Sequence, residues 1–207
     1  VTDRAQVRAV FREVRPSVYV HCAAVVGTAE CRADPERALA VNVGGVLHTV
    51  AAALAHPCRY VFVSSDYVFE AVPGQRGRYR EEDPVAAANL YARTKIAGEA
   101  IAATVPEHLI VRTSFVGRDG VKYAGAFTDQ YTSRDYVDVI APQLLEAIRS
   151  PLTGPLHLGS GRRSQFELLR VAYPDLRPLR RAEIDPSLAA DTSLDTGRWD
   201  RHRASSS

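Results

Sequence analysis

A tyrosine and a lysine stand four residues apart at Tyr91-Ala92-Arg93-Thr94-Lys95, downstream of Ser64-Ser65-Asp66. On a helix, residues four apart share one face. There an ammonium group can lower the pKa of a phenol. A free tyrosine titrates near ~10, and bringing it towards ~7 takes roughly 4 kcal/mol. A cation in a partly desolvated site supplies part of that. A phenol tuned in this way exchanges a proton near neutral pH, and the Ser65 hydroxyl could hold the oxygen that receives it. This set serves hydride transfer between a nicotinamide and a ketone or alcohol. An exposed Tyr and Lys on an ordinary helix give the same spacing, so the surrounding sequence must separate the two readings.

The elements that would position these residues alternate between strand and helix. Residues 4–15 carry Val7, Val10, Phe11 and Val14 at helical spacing and stop at Pro16. Val18-Tyr19-Val20-His21 is a short strand running into Cys22-Ala23-Ala24. Asp34 and Pro35 open a long helix through about Ala55, with Asp34 as cap and Pro35 in the first turn. The almost wholly apolar run Arg59–Ser64 suits a parallel strand covered on both faces. A polar loop over 70–87 precedes the helix of Tyr91 and Lys95. Further strands are expected at His108–Arg112 and Leu156–Leu158, and further helices at Arg134–Ser150 and Gln165–Ala172. The stretch between, with Gly117, Gly120 and Gly125, reads as irregular.

This order predicts an α/β fold with a doubly wound parallel sheet. Ligands of such sheets bind beyond the carboxyl ends of the strands. Ala23-Ala24, Ser64-Ser65 and Thr113-Ser114 all fall at such ends.

Composition narrows the function classes. A net charge of +2 is too small to argue for nucleic acid. No apolar run reaches the ~18 residues of a membrane span, and no signal peptide is visible, so a cytoplasmic setting is expected. Cys22, Cys31 and Cys58 form no CxxC pair and are odd in number, which fits a reducing compartment. The histidines form no HxxxH, and no metal site is expected. The chain opens at Val1 and holds no methionine, which reads as an incomplete or processed start.

Three stretches carry a family resemblance: Ser64-Ser65-Asp66-Tyr67-Val68-Phe69, Tyr79-Arg80-Glu81-Glu82-Asp83-Pro84, and Tyr91 to Glu99. Arg15 to Ala24, Ala40-Val41-Asn42-Val43, Asp129 to Ser133 and Asp191 to Thr196 extend it. The chain resembles the extended short-chain dehydrogenase/reductases, and within them the dTDP-4-dehydrorhamnose reductase group. The resemblance implies a Rossmann-like core over 1–112 and 134–158, a small substrate lobe over 113–133 and 159–200, and a flexible tail over 201–207. It implies NADP or NAD as cofactor and a nucleotide-linked 4-keto sugar as substrate. Tyr91 would be the proton donor, Lys95 would bind the nicotinamide ribose and lower the Tyr91 pKa, and Ser65 would hold the reacting oxygen. Ala23, Ala24, Asn42 and Ser64 would line the cofactor side. Asp66 and Tyr67 would face the sugar. Asn42 reads equally as a helix-face amide with a local hydrogen bond.

Two departures qualify the resemblance. The glycine-rich phosphate loop that the family places on its first strand–helix turn is absent. Gly159-Ser160-Gly161-Arg162-Arg163-Ser164 is the nearest substitute, and a turn capped by Ser164 explains it better. The segment from Thr113 to Asp129 is also short, so the lobe is trimmed. An epimerase or dehydratase, with Asp66 as an added acid, stays open, as does a non-catalytic regulatory module of the same fold. Without the family's first strands, Val18–His21 becomes a sheet edge, and a homodimer paired through it is one way to cover it.

Overall fold

The computed structural model describes residues 1–74, 76–118 and 124–206. Helix α1 (Arg4–Val14) starts where the Asp3 carboxylate accepts the Gln6 N–H at 3.0 Å, and stops at Arg15, whose φ of 45° is left-handed. Strand β1 (Val18–His21) follows, then α2 (Thr28–Ala33) and α3 (Pro35–Leu39), the latter capped by Asp34 on the Arg37 N–H at 3.0 Å. A π turn over Ala40–Gly44 joins α3 to α4 (Gly45–Ala55). Strand β2 (Arg59–Val63) leads into a 3₁₀ turn (Asp66–Phe69), and Asn89 caps α5 (Leu90–Ala102) through the Ala92 N–H at 2.9 Å.

Then come β3 (His108–Arg112), β4 (Phe115–Val116), β5 (Gly125–Phe127), β6 (Tyr131–Thr132), β7 (Asp135–Tyr136) and α6 (Val137–Arg149). The chain ends through β8 (Gly154–His157), β9 (Arg163–Ser164), α7 (Gln165–Leu169), β10 (Arg177–Leu179), α8 (Arg181–Ile184) and α9 (Gly197–Ser206). Gly120, read above as part of an irregular stretch, lies outside the described residues.

Among the described residues the main sheet runs β1-β2-β3-β8, all parallel, with Val63 opposite Val111 and Val111 opposite Leu156. Alternation along the strands divides the core. Tyr60, Phe62 and Ile110 pack on one face with Phe11, Val46, Val50 and Ala53 of α1 and α4. Val61, Leu109, Val111 and Leu156 pack on the other with Ala147 of α6 and Trp199 of α9. Apolar side chains on both faces explain why these strands read as nearly continuous apolar runs. The doubly wound α/β expectation is borne out. β1 stands at the edge of this sheet, with Val18 exposed.

The remaining strands form small pairs outside the main sheet: β4 with β7, β5 with β10, and β6 with β9. The β5–β10 and β6–β9 pairs tie residues 125–132 to residues 163–179. Ser164 caps α7 in a reciprocal capping box with Glu167.

Residues 201–207 were expected as a flexible tail; residues 201–206 continue α9 (Gly197–Ser206), whose Trp199 is buried against the sheet, and Ser207 lies outside the described residues. A single tryptophan in an arginine-rich stretch shows no apolar periodicity, so its anchoring role is invisible in the sequence. Burying such an aromatic side chain contributes about 2–3 kcal/mol. The helical run Pro35–Ala55 spans 21 residues with a mean hydropathy of 1.7, long and apolar enough by length and composition to cross a membrane. Here it is a core helix, packed between α1 and α5 with Asn42 and Thr49 turned inward.

Candidate active site

The site assembles where β1, β2 and β3 end. β2 delivers Ser64 and Ser65. Ser65 caps the 3₁₀ turn by accepting the Tyr67 N–H at 3.2 Å. Helix α5 crosses just beyond, with Tyr91 in its first turn and Ala92, Lys95, Gly98 and Glu99 on its buried side. The helix lies close to β2 because residue 98 has no β-carbon: one placed there would stand 2.5 Å from Cζ of Phe62.

Ser65, Tyr91 and Lys95 are brought together as the spacing suggested. The Ser65 hydroxyl stands near enough to the Tyr91 phenol to favour its ionised form. Tyr67 packs edge-on against Tyr91, ring centroids 6.5 Å apart. Lys95 is buried; its Nζ donates to the Val63 carbonyl at 2.6 Å and stands 4.5 Å from the centre of the Phe62 ring.

The electrostatics differ from the expectation. Burial lowers the Lys95 ammonium to about 8, against the opposing pull of Glu99. Burial pushes Tyr91 up to about 12, and the Ser65 hydroxyl only partly offsets it. The Lys95 ammonium is turned to the Val63 carbonyl, and burial outweighs whatever lowers the Tyr91 phenol. The phenol therefore rests protonated across the neutral range, which is the form a proton donor requires.

The other expected residues divide. Asn42 sits in the π turn, a local irregularity that recurs at functional sites. Its amide clasps Val25 through both backbone groups, at 2.7 and 3.0 Å, and donates to Thr94 Oγ1 at 3.0 Å. It thereby fixes the Ala23-Ala24 loop to α5, a longer reach than a local helix-face bond. Ala23 and Ala24 are half-buried on that loop. Ser64 turns away: its hydroxyl donates to Glu99 Oε1 at 2.5 Å, so its side chain serves the interior and not the cofactor side. Asp66, expected to face the sugar, is 1 % exposed, and its carboxylate accepts from the hydroxyls of Ser65, Thr132 and Thr192.

Several residues were not singled out from the sequence. Glu99 and Arg112 form a buried bidentate pair, with Nη2 to Oε2 at 2.8 Å and Nε to Oε1 at 3.0 Å. Glu99 continues the Tyr91–Lys95 spacing by one more helical turn, and that signal could have found it. The Arg134 guanidinium stands close to Tyr67, where it opposes the rise that burial gives the phenol, and its Nε donates to Ser114 Oγ at 2.8 Å. Both Tyr67 and Arg134 line a cavity of about 730 Å³, together with Gln130, Leu168, Arg177 and Leu179 of the small lobe.

Comparisons with known proteins bear on the family and the fold. Residues 1–147 match the family model described as the RmlD substrate binding domain. The chain is 32 % identical over 190 residues to a dTDP-4-keto-6-deoxy-D-glucose reductase of Streptomyces niveus, covering 84 % of this chain and 65 % of the relative. It is 37 % identical over 147 residues to a dTDP-4-dehydrorhamnose reductase of Streptomyces griseus, covering 69 % and 47 %. The chain thus spans roughly half to two thirds of the length of these relatives. Among solved structures, a dTDP-4-dehydrorhamnose reductase of Bacillus anthracis, in complex with NADP, superposes with a TM-score of 0.84 at 25 % identity, over 97 % of this chain and 79 % of that one. The resemblance read from Ser64–Phe69 and Tyr91–Glu99 is borne out: the chain belongs to the RmlD substrate-binding-domain family of sugar-nucleotide reductases within a Rossmann-like α/β fold.

Proposed function

We propose that the protein carrying this chain reduces the keto group of a nucleotide-linked 4-keto-6-deoxy sugar, with Tyr91 as proton donor. The observation that carries this reading is the convergence, beyond the end of β2, of the Ser65 hydroxyl, a half-buried Tyr91 phenol that stays protonated at neutral pH, and the buried Lys95 ammonium. A keto oxygen placed between Ser65 and Tyr91 would accept from both hydroxyls, and the phenol would then give it a proton. The reductases most similar in sequence act on dTDP-linked keto sugars by name, which supports the substrate class.

The residues at the strand ends fit a pyridine nucleotide, NADP or NAD. Lys95 uses one ammonium hydrogen on Val63, and an ammonium carries three donors. The half-buried Ala23 and Ala24 leave the loop after β1 open to close approach. Lys95, Ala23 and Ala24 would hold the nicotinamide end, with Asn42 keeping the loop in place. When bound, a reduced nicotinamide supplies the hydride. The cavity walled by Tyr67 and Arg134 would take the sugar nucleotide.

The test is turnover of a dTDP-4-keto-6-deoxy sugar by the wild type and by Tyr91→Phe, with nicotinamide fluorescence reporting cofactor binding. The variant should bind cofactor normally and lose about 10²–10⁴-fold in turnover. Turnover retained in Tyr91→Phe overturns the mechanism.

A further inference from the structure

Asp66 is a buried carboxylate that the proton-transfer step does not use. Hydroxyls from three parts of the chain converge on it. Ser65 Oγ donates to Oδ1 at 3.3 Å, and Thr132 Oγ1 and Thr192 Oγ1 donate to Oδ2 at 3.2 and 3.1 Å. Thr132 belongs to β6. Thr192 is joined to that strand by its N–H, which donates to the Tyr131 carbonyl at 3.1 Å. Both threonines are buried, so their hydroxyls have no water to exchange with and their geometry is held.

What the neighbours of this hub do gives it meaning. Ser65, before Asp66, stands near the Tyr91 phenol. Tyr67, after it, packs on Tyr91 and lines the cavity. Thr132 Oγ1 accepts the N–H of Arg134 at 3.0 Å, and Arg134 forms the facing wall of the same cavity. One carboxylate therefore joins the turn that bears the proton-transfer residues to the lobe segment that bears Arg134.

We propose that Asp66 is a positioning residue for the substrate: by clamping Thr132 and Thr192 of the small lobe to the Ser65–Tyr67 turn, it sets the cleft walls Tyr67 and Arg134 relative to Tyr91. The assignment of the ligand rests on the reductase reading above; the clamp itself rests on the hydrogen bonds.

The experiment removes single hydroxyls and leaves Asp66 in place, in Thr192→Val and Thr132→Val. Each variant should raise KM for the dTDP-linked keto sugar roughly tenfold, the order expected for one lost hydrogen bond to a charged group. The kcat and the NADPH dissociation constant should stay unchanged. Asp66→Asn, whose amide oxygen still accepts, should retain more of the substrate affinity than Asp66→Ala. Unchanged KM in both threonine variants overturns the proposal. Equal losses in substrate and cofactor binding also overturn it, because they mark a general structural defect. Should the wild type turn over no keto sugar, the reductase reading fails on its own, and hydrogen exchange decides the clamp. Amides of 131–134 and 191–194 should then exchange faster in Thr192→Val while those of α5 stay protected; unchanged exchange overturns it.

Discussion

The Phe62 ring lies under Gly98, with Cζ 2.5 Å from where a β-carbon on residue 98 would stand. This contact sets how closely α5 approaches β2, and the same ring faces the Lys95 ammonium at 4.5 Å. Gly98→Ala gains about 1 kcal/mol in helix propensity. It also forces a methyl group onto a ring that is 1 % exposed and has nowhere to move. Overpacking of this kind costs about 1–3 kcal/mol. The variant should be net destabilised by urea unfolding, and nicotinamide titration should show weaker cofactor binding because Lys95 rides on the displaced helix.

Lys95 should make cofactor affinity depend on pH. Its ammonium is lowered to about 8, chiefly by burial. Donation from Lys95 to a bound ligand should weaken as pH rises through that value. Lys95→Met should bind more weakly and lose the pH dependence. Stability moves the other way. Between about 8 and the ordinary lysine value the unfolded chain holds more protons than the folded one, so stability rises with pH across that window. The charged lysine therefore opposes folding below it, by roughly 3 kcal/mol. A pH series of wild-type and Lys95→Met unfolding checks both signs.

The Glu99–Arg112 pair should fail strongly when only one partner is removed. Their side chains are 9 % and 6 % exposed, and Arg112 also donates to the Glu81 carbonyl at 3.1 Å. Glu99→Gln leaves a buried guanidinium uncompensated and should cost about 3–5 kcal/mol. Glu99→Gln combined with Arg112→Met should cost less than the sum of the single changes. Denaturant midpoints for the four proteins of the cycle test this coupling.

His157 should weaken the fold in acid. Its Nδ1 is 3.2 Å from the Asp195 carbonyl and its Nε2 faces Arg112 Nη1 at 3.5 Å, so the neutral ring donates at one nitrogen and accepts at the other. Burial, helped by the Arg112 charge, lowers it to about 4. Burial lowers His21 to about 4 as well. From the ordinary histidine value down to about 4, the unfolded chain binds more protons. Stability should fall across that window, by roughly 3 kcal/mol for each ring once both forms are protonated. His157→Gln should flatten part of that slope in urea unfolding followed by circular dichroism.

Residue order alone determined the alternation of strand and helix, the caps at Asp34 and Ser164, and the placement of Ser65, Tyr91 and Lys95 at one end of a parallel sheet. These are local properties. Apolar period, cap chemistry and a four-residue helical spacing act within one or two turns of chain, and the structure keeps all of them.

Tertiary structure decided where the polar side chains point. Nothing near Lys95 in sequence says that its ammonium turns to Val63, or that burial holds the Tyr91 phenol high instead of low. Ser64 and Ser65 are adjacent and alike, yet beyond the end of β2 one turns to Glu99 and the other lies towards Tyr91. Asp66 reads as a substrate contact until Thr192, 126 residues away, closes over it. The direction of a buried polar group is set by whichever partners the packed chain brings within hydrogen-bonding distance, and those partners lie far apart in the sequence.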